Sequence, residues 1–359
     1  MIKNGDYNSI ELLSPAGSFD CAKAAVDAGA DAIYMGGARY SARAYAKSAT
    51  DNTLVDSIRL VKNSGKKFYL TVNTLFKQRE LKEVFLFLDS YVSEGIDAFI
   101  VQDLGVAMML KDRYPQVELH ASTQMTITSS KAVNLVKSLG FTQVVLSREL
   151  SLKEIKAIKK EVGDEIKLEA FVHGSMCYCY SGCCLMSSFI GGESGNRGRC
   201  KGPCRLPYKV AGTNTKTIGA SLRARTCRDE RHRKGELCEP APYILSMKDM
   251  CALNSLQGLI AAGVTSFKIE GRMRQADYVA GVTKTYRRYL DVIAGANTKA
   301  TEAKDKSVGA KDKSVEAKHC EPYIAKDEKY LLELYNKGGF TNYYDKHNGA
   351  DMIQKYERK

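Results

Sequence analysis

The sequence predicts an α/β protein built as a (β/α)8 TIM-like barrel, and three observations support this fold class. Eight short apolar runs of strand type alternate with helix-like stretches along 359 residues. Glycine follows a helix-like stretch just before several of these runs, and no glycine-rich dinucleotide fingerprint follows the first one. Alternation of this kind indicates a parallel sheet, and eight units suit a barrel. A doubly wound open sheet is the alternative.

Eight strands are predicted between the N-terminus and the last barrel unit. Glycine ends the helix before four of them, within AGAD, EGID, LGFT and AGVT. After an inserted loop we expect the barrel to resume at Tyr243–Leu245 and to be closed by an amphipathic helix over Tyr278–Ile293. The strands are Ile10–Leu13, Ala32–Met35, Phe68–Val72, Ala98–Val101, Val117–Ala121, Val144–Leu146, Ile166–Val172 and Ser266–Ile269.

Polar residues follow the predicted strands where each one ends. Active sites of (β/α)8 barrels form at this carboxyl end of the strands. We therefore expect one polar ring around the mouth of the barrel. Its members are Asn73, Gln102, Gln124, Arg148, Glu149, His173, Glu270 and Arg272.

A cysteine-rich segment, residues 169–208, follows the seventh predicted strand and should fold over the same mouth. Thiols this dense in a chain without an evident export signal indicate a metal site more than disulfides. Cys200 and Cys204 form one C-x3-C pair, but no second pair is evident from spacing. Structural zinc and an iron–sulfur cluster both remain open, and a nucleophilic cysteine with a base such as His173 is the third use considered. The cysteines of this segment are Cys177, Cys179, Cys183, Cys184, Cys200 and Cys204.

The chain divides into a barrel and a small C-terminal part. We predict the barrel over residues 1–295, with a basic inserted loop at 209–242. Residues 296–320 repeat AKDKSV and read as a charged, low-complexity linker or frayed helix. The apolar spacing after Tyr323 predicts a small appendage, residues 321–359, that docks on the barrel.

Composition and charge suggest where the protein acts and on what. The N-terminus lacks the features of a signal peptide, and no apolar run is long enough to cross a membrane, so we expect a cytoplasmic protein. The net charge of +13 favours polyanions, of which nucleic acid is the most abundant candidate. The sequence leaves open a homo-oligomer or a partner subunit.

Several blocks of the sequence resemble the collagenase-like peptidases of unknown catalytic type, family thirty-two of the U series. The resemblance rests on FVHGSMCYCYSGCCLMSSFIGGESGNRGRCKGPCRLPY and on ELLSPAGSFDCAKAAVDAGADAIYMGG, TVNTLFK, VQDLGV, LHASTQMT and FKIEGRMR. Enzymes of this family include prephenate-dependent tRNA uridine hydroxylases and a hydroxylase of a ribosomal RNA cytidine. The basic loop and the AKDKSV repeat look like departures from the family pattern.

The resemblance implies a [4Fe–4S] cluster and an RNA-base hydroxylase that works without oxygen. The implied ligands are Cys177, Cys184, Cys200 and Cys204, with Cys238 or Cys251 as alternatives for the last. Cys179 and Cys183 lie outside that ligand pattern.

The predicted catalytic residues each have a structural alternative. Arg148 and Arg272 would hold a carboxylate hydroxyl donor such as prephenate. His173 or Glu270 would move protons. The structural alternatives are an ion pair between Arg148 and Glu270, and a capping role for His173.

Two other functions compete with hydroxylation. The family name indicates a peptidase, although neither an HExxH zinc motif nor a GxSxG elbow is present. A non-catalytic iron–sulfur protein that binds RNA or a partner is the third possibility.

Overall fold

The structure is a computed structural model and describes residues 10–42, 51–208, 243–304, 321–342, 344 and 352–353. The strands in these ranges are β1 (Glu11–Pro15), β2 (Ala32–Met35), β3 (Lys67–Val72), β4 (Ala98–Val101), β5 (Glu118–Ala121), β6 (Gln143–Val145), β7 (Lys167–Gly174), β8 (Asp249–Cys251), β9 (Val264–Ile269) and β10 (Phe340–Thr341). Strands β1 to β7 pair in parallel in chain order, and β9 closes the ring by pairing with both β7 and β1. The predicted (β/α)8 barrel is confirmed.

Helices surround the barrel and connect its strands. In the described ranges they are α1 (Phe19–Asp27), α2 (Asp51–Asn63), α3 (Val84–Ser93), α4 (Leu104–Arg113), α5 (Ser130–Ser138), α6 (Leu152–Val162), α7 (Met186–Gly191), α8 (Leu256–Ala261), α9 (Ala276–Lys304) and α10 (Glu321–Leu334). None of these helices is long and apolar enough to span a bilayer.

The local sequence explains where these helices begin and end. Ser18 and Asp103 cap α1 and α4 by accepting hydrogen bonds from backbone amides of the first turn. Ser151 and Glu154 form a reciprocal capping box at α6. The four glycines predicted to end helices all have positive φ, between 84° and 93°, which L residues adopt only at a cost. They are Gly29, Gly95, Gly140 and Gly263.

Strands β8 and β10 lie outside the barrel ring. Strand β8 pairs antiparallel with the end of β7, through His173 and Cys251, and β10 pairs in parallel with β8. The expectation that the barrel resumes at Tyr243–Leu245 is wrong, because Ile244 and Leu245 form a turn and the next strand belongs to this extension. The apolar character of Tyr243–Leu245 indicated a buried stretch of chain, but it did not determine whether this stretch would form a strand or which strand it would pair with.

The core has two parts. The larger lies between the outer faces of the strands and the surrounding helices, and the smaller, around Leu13, Tyr69 and Ile100, fills part of the barrel interior. The interior also contains a buried ion pair: Lys268 Nζ lies 2.6 Å from Glu169 Oε1, and both side chains are almost fully buried. A buried charge is tolerated when a partner compensates it.

The C-terminal segment packs on the barrel. Asp327 of α10 accepts a hydrogen bond from Tyr289 of α9 at 2.7 Å, and Tyr344 donates one to the carbonyl of Phe171 at 2.6 Å. The helix predicted over 278–293 is present within α9, which runs on to Lys304 and so crosses the proposed boundary at 295. The basic loop at 209–242 and most of the charged linker lie outside the described residues, and the domain boundaries stay a prediction.

Candidate active site

The cysteine-rich segment lies over the carboxyl end of the barrel and encloses a cavity of about 410 Å³, called here the outer cavity. The segment overlaps the end of β7 and its cysteines all follow that strand, so the parallel strands bring them to the mouth. Five cysteines line the cavity together with four cationic side chains and one carboxylate among the described residues. These residues are Cys177, Cys179, Cys184, Cys200, Cys204, Lys201, Arg205, Arg274, Lys337 and Glu270.

All four predicted cluster ligands line this one cavity, although they span 28 positions of sequence. Cys179 also lines it, next to Cys184, whereas Cys183 does not. None of the described cysteines forms a disulfide. In the described ranges no three His, Cys, Asp or Glu side chains are close enough together to form a ready-made site for a single metal ion. The thiols surround a space instead of converging on a point.

The structure describes one of the two alternative ligands, Cys251. Cys251 is almost fully buried, with its sulfur 3.8 Å from the hydroxyl of Tyr286, and it does not line the outer cavity. Burial raises the pKa of the Cys251 thiol to about 12, so it behaves as an inert core thiol. Cys238 lies outside the described residues.

The thiols of the outer cavity are exposed or half-buried, and two of them lie next to hydrogen-bond donors. Burial raises the pKa of Cys179 and of Cys204, and neighbouring sulfurs add to both shifts. Two donors already point at sulfur: Gly202 N lies 3.3 Å from Cys200 Sγ, and an Arg148 nitrogen lies 3.4 Å from Cys177 Sγ. Hydrogen bonds of this kind tune metal-bound thiolates.

At Gly182 the backbone of the cysteine-rich segment closely approaches the barrel mouth. A Cβ at Gly182 would lie 1.9 Å from the backbone oxygen of Gln124, and its φ is +89°. Gly182→Ala should therefore lift the segment and destabilise the fold by about 3 kcal/mol, while Gly192→Ala should cost only about 1 kcal/mol. Gly192 is the matched control, because its φ is +67° with open space around it. Urea unfolding and limited proteolysis of both variants measure the difference; equal losses would contradict the role of this contact.

Beneath the outer cavity, inside the barrel mouth, lies a smaller inner cavity of about 60 Å³. Ala42, Gln124, Cys177, Ser181 and Glu270 line both cavities, so the two are adjacent. The inner cavity is cationic, since Arg148, Lys268 and Arg272 all line it.

Arg148 joins the barrel to the cysteine segment. Its guanidinium donates to the Ser175 carbonyl and to Ser181 Oγ, both at 2.6 Å, in addition to Cys177 Sγ. It lies over the ring of Phe171 at 5.0 Å. The alternative in which Arg148 pairs with Glu270 does not describe this geometry, because these hydrogen bonds go to the segment. Arg148 Nε is buried with no hydrogen-bond partner among the described residues.

Arg272 and Glu270 also lie where the sequence predicted. Arg272 donates to Ser41 Oγ at 2.5 Å and to Thr71 Oγ1 at 2.8 Å, which fixes its guanidinium at the floor of the inner cavity. Glu270 is half-buried, faces both cavities and accepts from the amide of Ser175 at 3.3 Å.

The remaining members of the predicted polar ring surround this centre. Asn73 and Gln124 line the inner cavity, and Gln102 donates to the Gln124 carbonyl at 3.3 Å. Glu149 accepts a hydrogen bond from Ser147 and lines neither cavity.

His173 is turned away from both cavities. Its ring packs edge-on against Tyr286 and Phe340, with centroid distances of 5.5 and 5.3 Å, and its Nδ1 lies 3.3 Å from the Tyr286 hydroxyl. Burial lowers the pKa of His173 to about 3, so the imidazole is neutral near pH 7. The position favours packing, and the role of His173 in proton transfer stays a prediction.

The depressed pKa of His173 has a consequence for acid stability. The neutral form is favoured in the folded protein, so its contribution is fully present above the unfolded pKa near 6.5 and is lost as the pH falls toward 3. Between about pH 7 and pH 4.5 we expect the wild type to lose about 2 kcal/mol more unfolding free energy than His173→Gln. Urea titrations at both pH values measure this; parallel pH profiles would contradict a buried neutral His173.

Sequence reasoning missed several cationic residues of the site, among them Lys268 and Lys337. Lys268 was visible as a charge inside an otherwise apolar strand, a signal that a buried partner exists. Lys337 gave no signal, because its place in the outer cavity depends on how the C-terminal segment docks. It lies 3.1 Å from Asp249, and burial lowers the pKa of Lys337 to about 8.

A (β/α)8 barrel whose carboxyl end carries a thiol-lined cavity over a cationic pocket belongs to a class of protein in which this end holds the active site. The chain belongs to peptidase family U32, which it matches over residues 17–336. The resemblance noted from the sequence is thereby confirmed.

Three relatives illustrate the family. The chain is 37% identical to 23S rRNA 5-hydroxycytidine C2501 synthase of Escherichia coli over 79% of its own length and 40% of that protein. It is 35% identical to tRNA hydroxylation protein P1 of Bacillus subtilis over 78% of this chain and 63% of the relative. It is 29% identical to a Porphyromonas gingivalis protein named collagenase, over 94% and 74%. The chain thus spans less than two thirds of the first two relatives.

Proposed function

We propose that the protein is an iron–sulfur enzyme that hydroxylates an RNA base without oxygen, as part of tRNA or rRNA modification in the cytoplasm. One observation carries the proposal: five thiols surround a cavity that adjoins a cationic pocket at the catalytic end of the barrel. The names of two relatives, an rRNA hydroxycytidine synthase and a tRNA hydroxylation protein, support the same reaction class.

The donor set of the outer cavity fits a [4Fe–4S] cluster. Cys177, Cys184, Cys200 and Cys204 would hold it, because four thiolates are the usual ligands and all four line the space. A cluster with four thiolates is anionic, and Arg205, Arg274 and Lys337 supply compensating charge around the cavity. When bound, the cluster would supply electron transfer.

The inner cavity suits the carboxylate of a hydroxyl donor such as prephenate. Arg148 and Arg272 are held rigidly by neighbouring hydroxyls and would bind a carboxylate through paired hydrogen bonds. In the proposed exchange the base loses a hydrogen and gains a hydroxyl, while the donor loses that hydroxyl and gains the hydrogen, so atoms and electrons balance.

Proton transfer would fall to groups that line the cavities. Glu270 faces both of them and is the candidate that the geometry favours. Lys337 is a second candidate, since its lowered pKa of about 8 makes the neutral amine accessible near physiological pH.

The experiment is an anaerobic purification followed by iron and sulfide assays and an RNA hydroxylation assay. Total RNA from a strain lacking the gene is incubated with holoprotein and prephenate, and its nucleosides are analysed by mass spectrometry. About four irons per chain and a new hydroxylated nucleoside would support the proposal. Zinc without iron or sulfide would overturn the cluster, and a full cluster without turnover would leave an accessory RNA-binding protein.

A peptidase is the second candidate, favoured by the relative named collagenase. Incubation of the same preparation with gelatin and collagen peptides tests it directly. Cleavage that persists in Cys204→Ser and in Glu270→Gln would point to a contaminating protease.

A further inference from the structure

A third cavity, called here the arginine cavity, opens at the same end of the barrel and has a volume of about 320 Å³. Residues that follow β2 and β3 form one side, and the cysteine segment forms the other. Its charged lining consists of Arg39, Arg79, Glu80, Glu83, Arg197 and Arg199.

The arginine cavity and the outer cavity lie on opposite faces of one backbone segment. Asn196, Gly198 and Cys200 line the outer cavity, whereas Arg197 and Arg199 line the arginine cavity. The segment is held firmly: Leu75 N donates to the Asn196 carbonyl at 3.1 Å, and a Cβ at Gly198 would lie 2.1 Å from Ser41 O. A ligand in one cavity is therefore separated from a ligand in the other by the thickness of a single chain.

Two of the four arginines in the arginine cavity are paired with its two carboxylates. Arg197 binds Glu80 through two hydrogen bonds, of 2.5 and 2.7 Å, and this pairing lowers the pKa of Glu80 to about 2. Arg39 pairs with Glu83 at 3.1 Å on the surface.

Two other arginines of this cavity are less closely paired with carboxylates. Arg79 forms no ion pair with any described residue, and Arg199 reaches Glu193 only at 3.6 Å. Four guanidinium groups against two carboxylates leave an excess positive charge, and guanidinium is suited to phosphate recognition.

We propose that the arginine cavity binds a phosphodiester of the RNA strand, next to the nucleotide whose base enters the outer cavity. The inference rests on the proposed function and adds a phosphate-binding site to it. A base that is modified must leave its stack, so the backbone on either side needs an anchor close to the reaction cavity. Arg79 and Arg199 contact the phosphate, and Glu80 positions Arg197 beside them.

The test is RNA binding by the holoprotein, measured as fluorescence anisotropy of a labelled single-stranded oligoribonucleotide over a range of salt concentrations. Arg79→Gln combined with Arg199→Gln should weaken binding about tenfold and reduce the slope of log K against log salt by about one. Lys156→Gln combined with Lys160→Gln is the matched control. Both lysines are exposed on α6, and they line neither the outer cavity nor the arginine cavity. This variant should therefore keep the wild-type slope.

The outcomes separate this inference from the proposed function. In the hydroxylation assay the arginine variant should raise the KM for RNA and leave kcat unchanged, because it removes binding remote from the reacting atoms. A wild-type slope in the arginine variant, or equal losses in both double variants, would overturn the phosphate site while hydroxylation stands. Tight binding of inorganic pyrophosphate that depends on Arg79 and Arg199, with RNA binding unchanged, would also overturn it. If the wild type binds no RNA, both proposals fail.

Discussion

Cys204→Ser is expected to reduce the iron content of anaerobically purified protein from about four irons per chain to below one, and hydroxylation by at least about 100-fold. Serine keeps the size of the side chain but is a poor ligand for iron. The same loss is expected for each of the other three ligands, Cys177, Cys184 and Cys200, because all four line the outer cavity. Iron and sulfide assays on each purified variant measure the effect.

Two neighbouring cysteines provide controls of different strength. Cys183 is adjacent in sequence to the proposed ligand Cys184, but it lines neither the outer nor the inner cavity. Cys183→Ser should therefore retain iron and activity. Cys179→Ser is the sharper test, since Cys179 shares the outer cavity yet lies outside the proposed ligand set. Loss of iron in Cys179→Ser, with retention in Cys177→Ser, would show that the ligand set is wrong. Unfolding curves of the apoproteins should coincide for all variants.

Lys268→Met is expected to destabilise the protein by about 3–5 kcal/mol. Lys268 and Glu169 are buried together in the barrel interior, 2.6 Å apart, with side chains 5% and 0% exposed. Removal of the ammonium would leave the carboxylate of Glu169 with only Gln143 Nε2, at 2.5 Å, and the more distant Ser266 hydroxyl as donors. An uncompensated buried carboxylate is costly, and the loss is measured by urea denaturation near neutral pH.

Two further variants separate the buried pair from a general loss of charge. Lys268→Met combined with Glu169→Leu should recover most of the stability, because neither charge then remains buried. Lys159→Met removes an ion pair with Asp164, whose side chain is 91% exposed, and should cost less than about 1 kcal/mol. A single Lys268 variant that behaves like Lys159→Met would contradict the strength of this interaction.

Much of the fold was predictable because its signals are local. Eight apolar runs, helix-ending glycines such as Gly29 and Gly263, and the alternation of strands with helices were enough to predict a closed parallel barrel. A parallel sheet with helices on its outside requires each strand to be apolar and each connection to be long, and both requirements are visible in sequence.

The candidate site was predictable in part for the same reason. Parallel strands end at one rim, so Arg148, Glu270 and Arg272 were expected together, and all three line the inner cavity. The four predicted cysteines were likewise expected together because the segment follows β7, although their role as ligands awaits the experiments above.

His173 shows why the position of a residue at a strand end does not fix the direction of its side chain. Phe171 pairs with Lys268, and both line the inner cavity, but the next paired residue of β7 is His173, opposite Ile269 of the outer core. The register shift leaves Val172 as an extra residue and directs His173 away from the barrel interior. A bulge of this kind depends on the neighbouring strands.

The sequence by itself determined the elements of this protein, their order around the barrel and the end at which polar and thiol groups gather. Tertiary structure alone decided which groups share a cavity. Lys337 reaches the outer cavity from the C-terminal segment, and Arg79 and Arg199 meet in the arginine cavity from positions 120 residues apart. Strand and helix formation depends on neighbours a few positions away, whereas a cavity is formed by the packing of distant segments, and no local pattern records that packing.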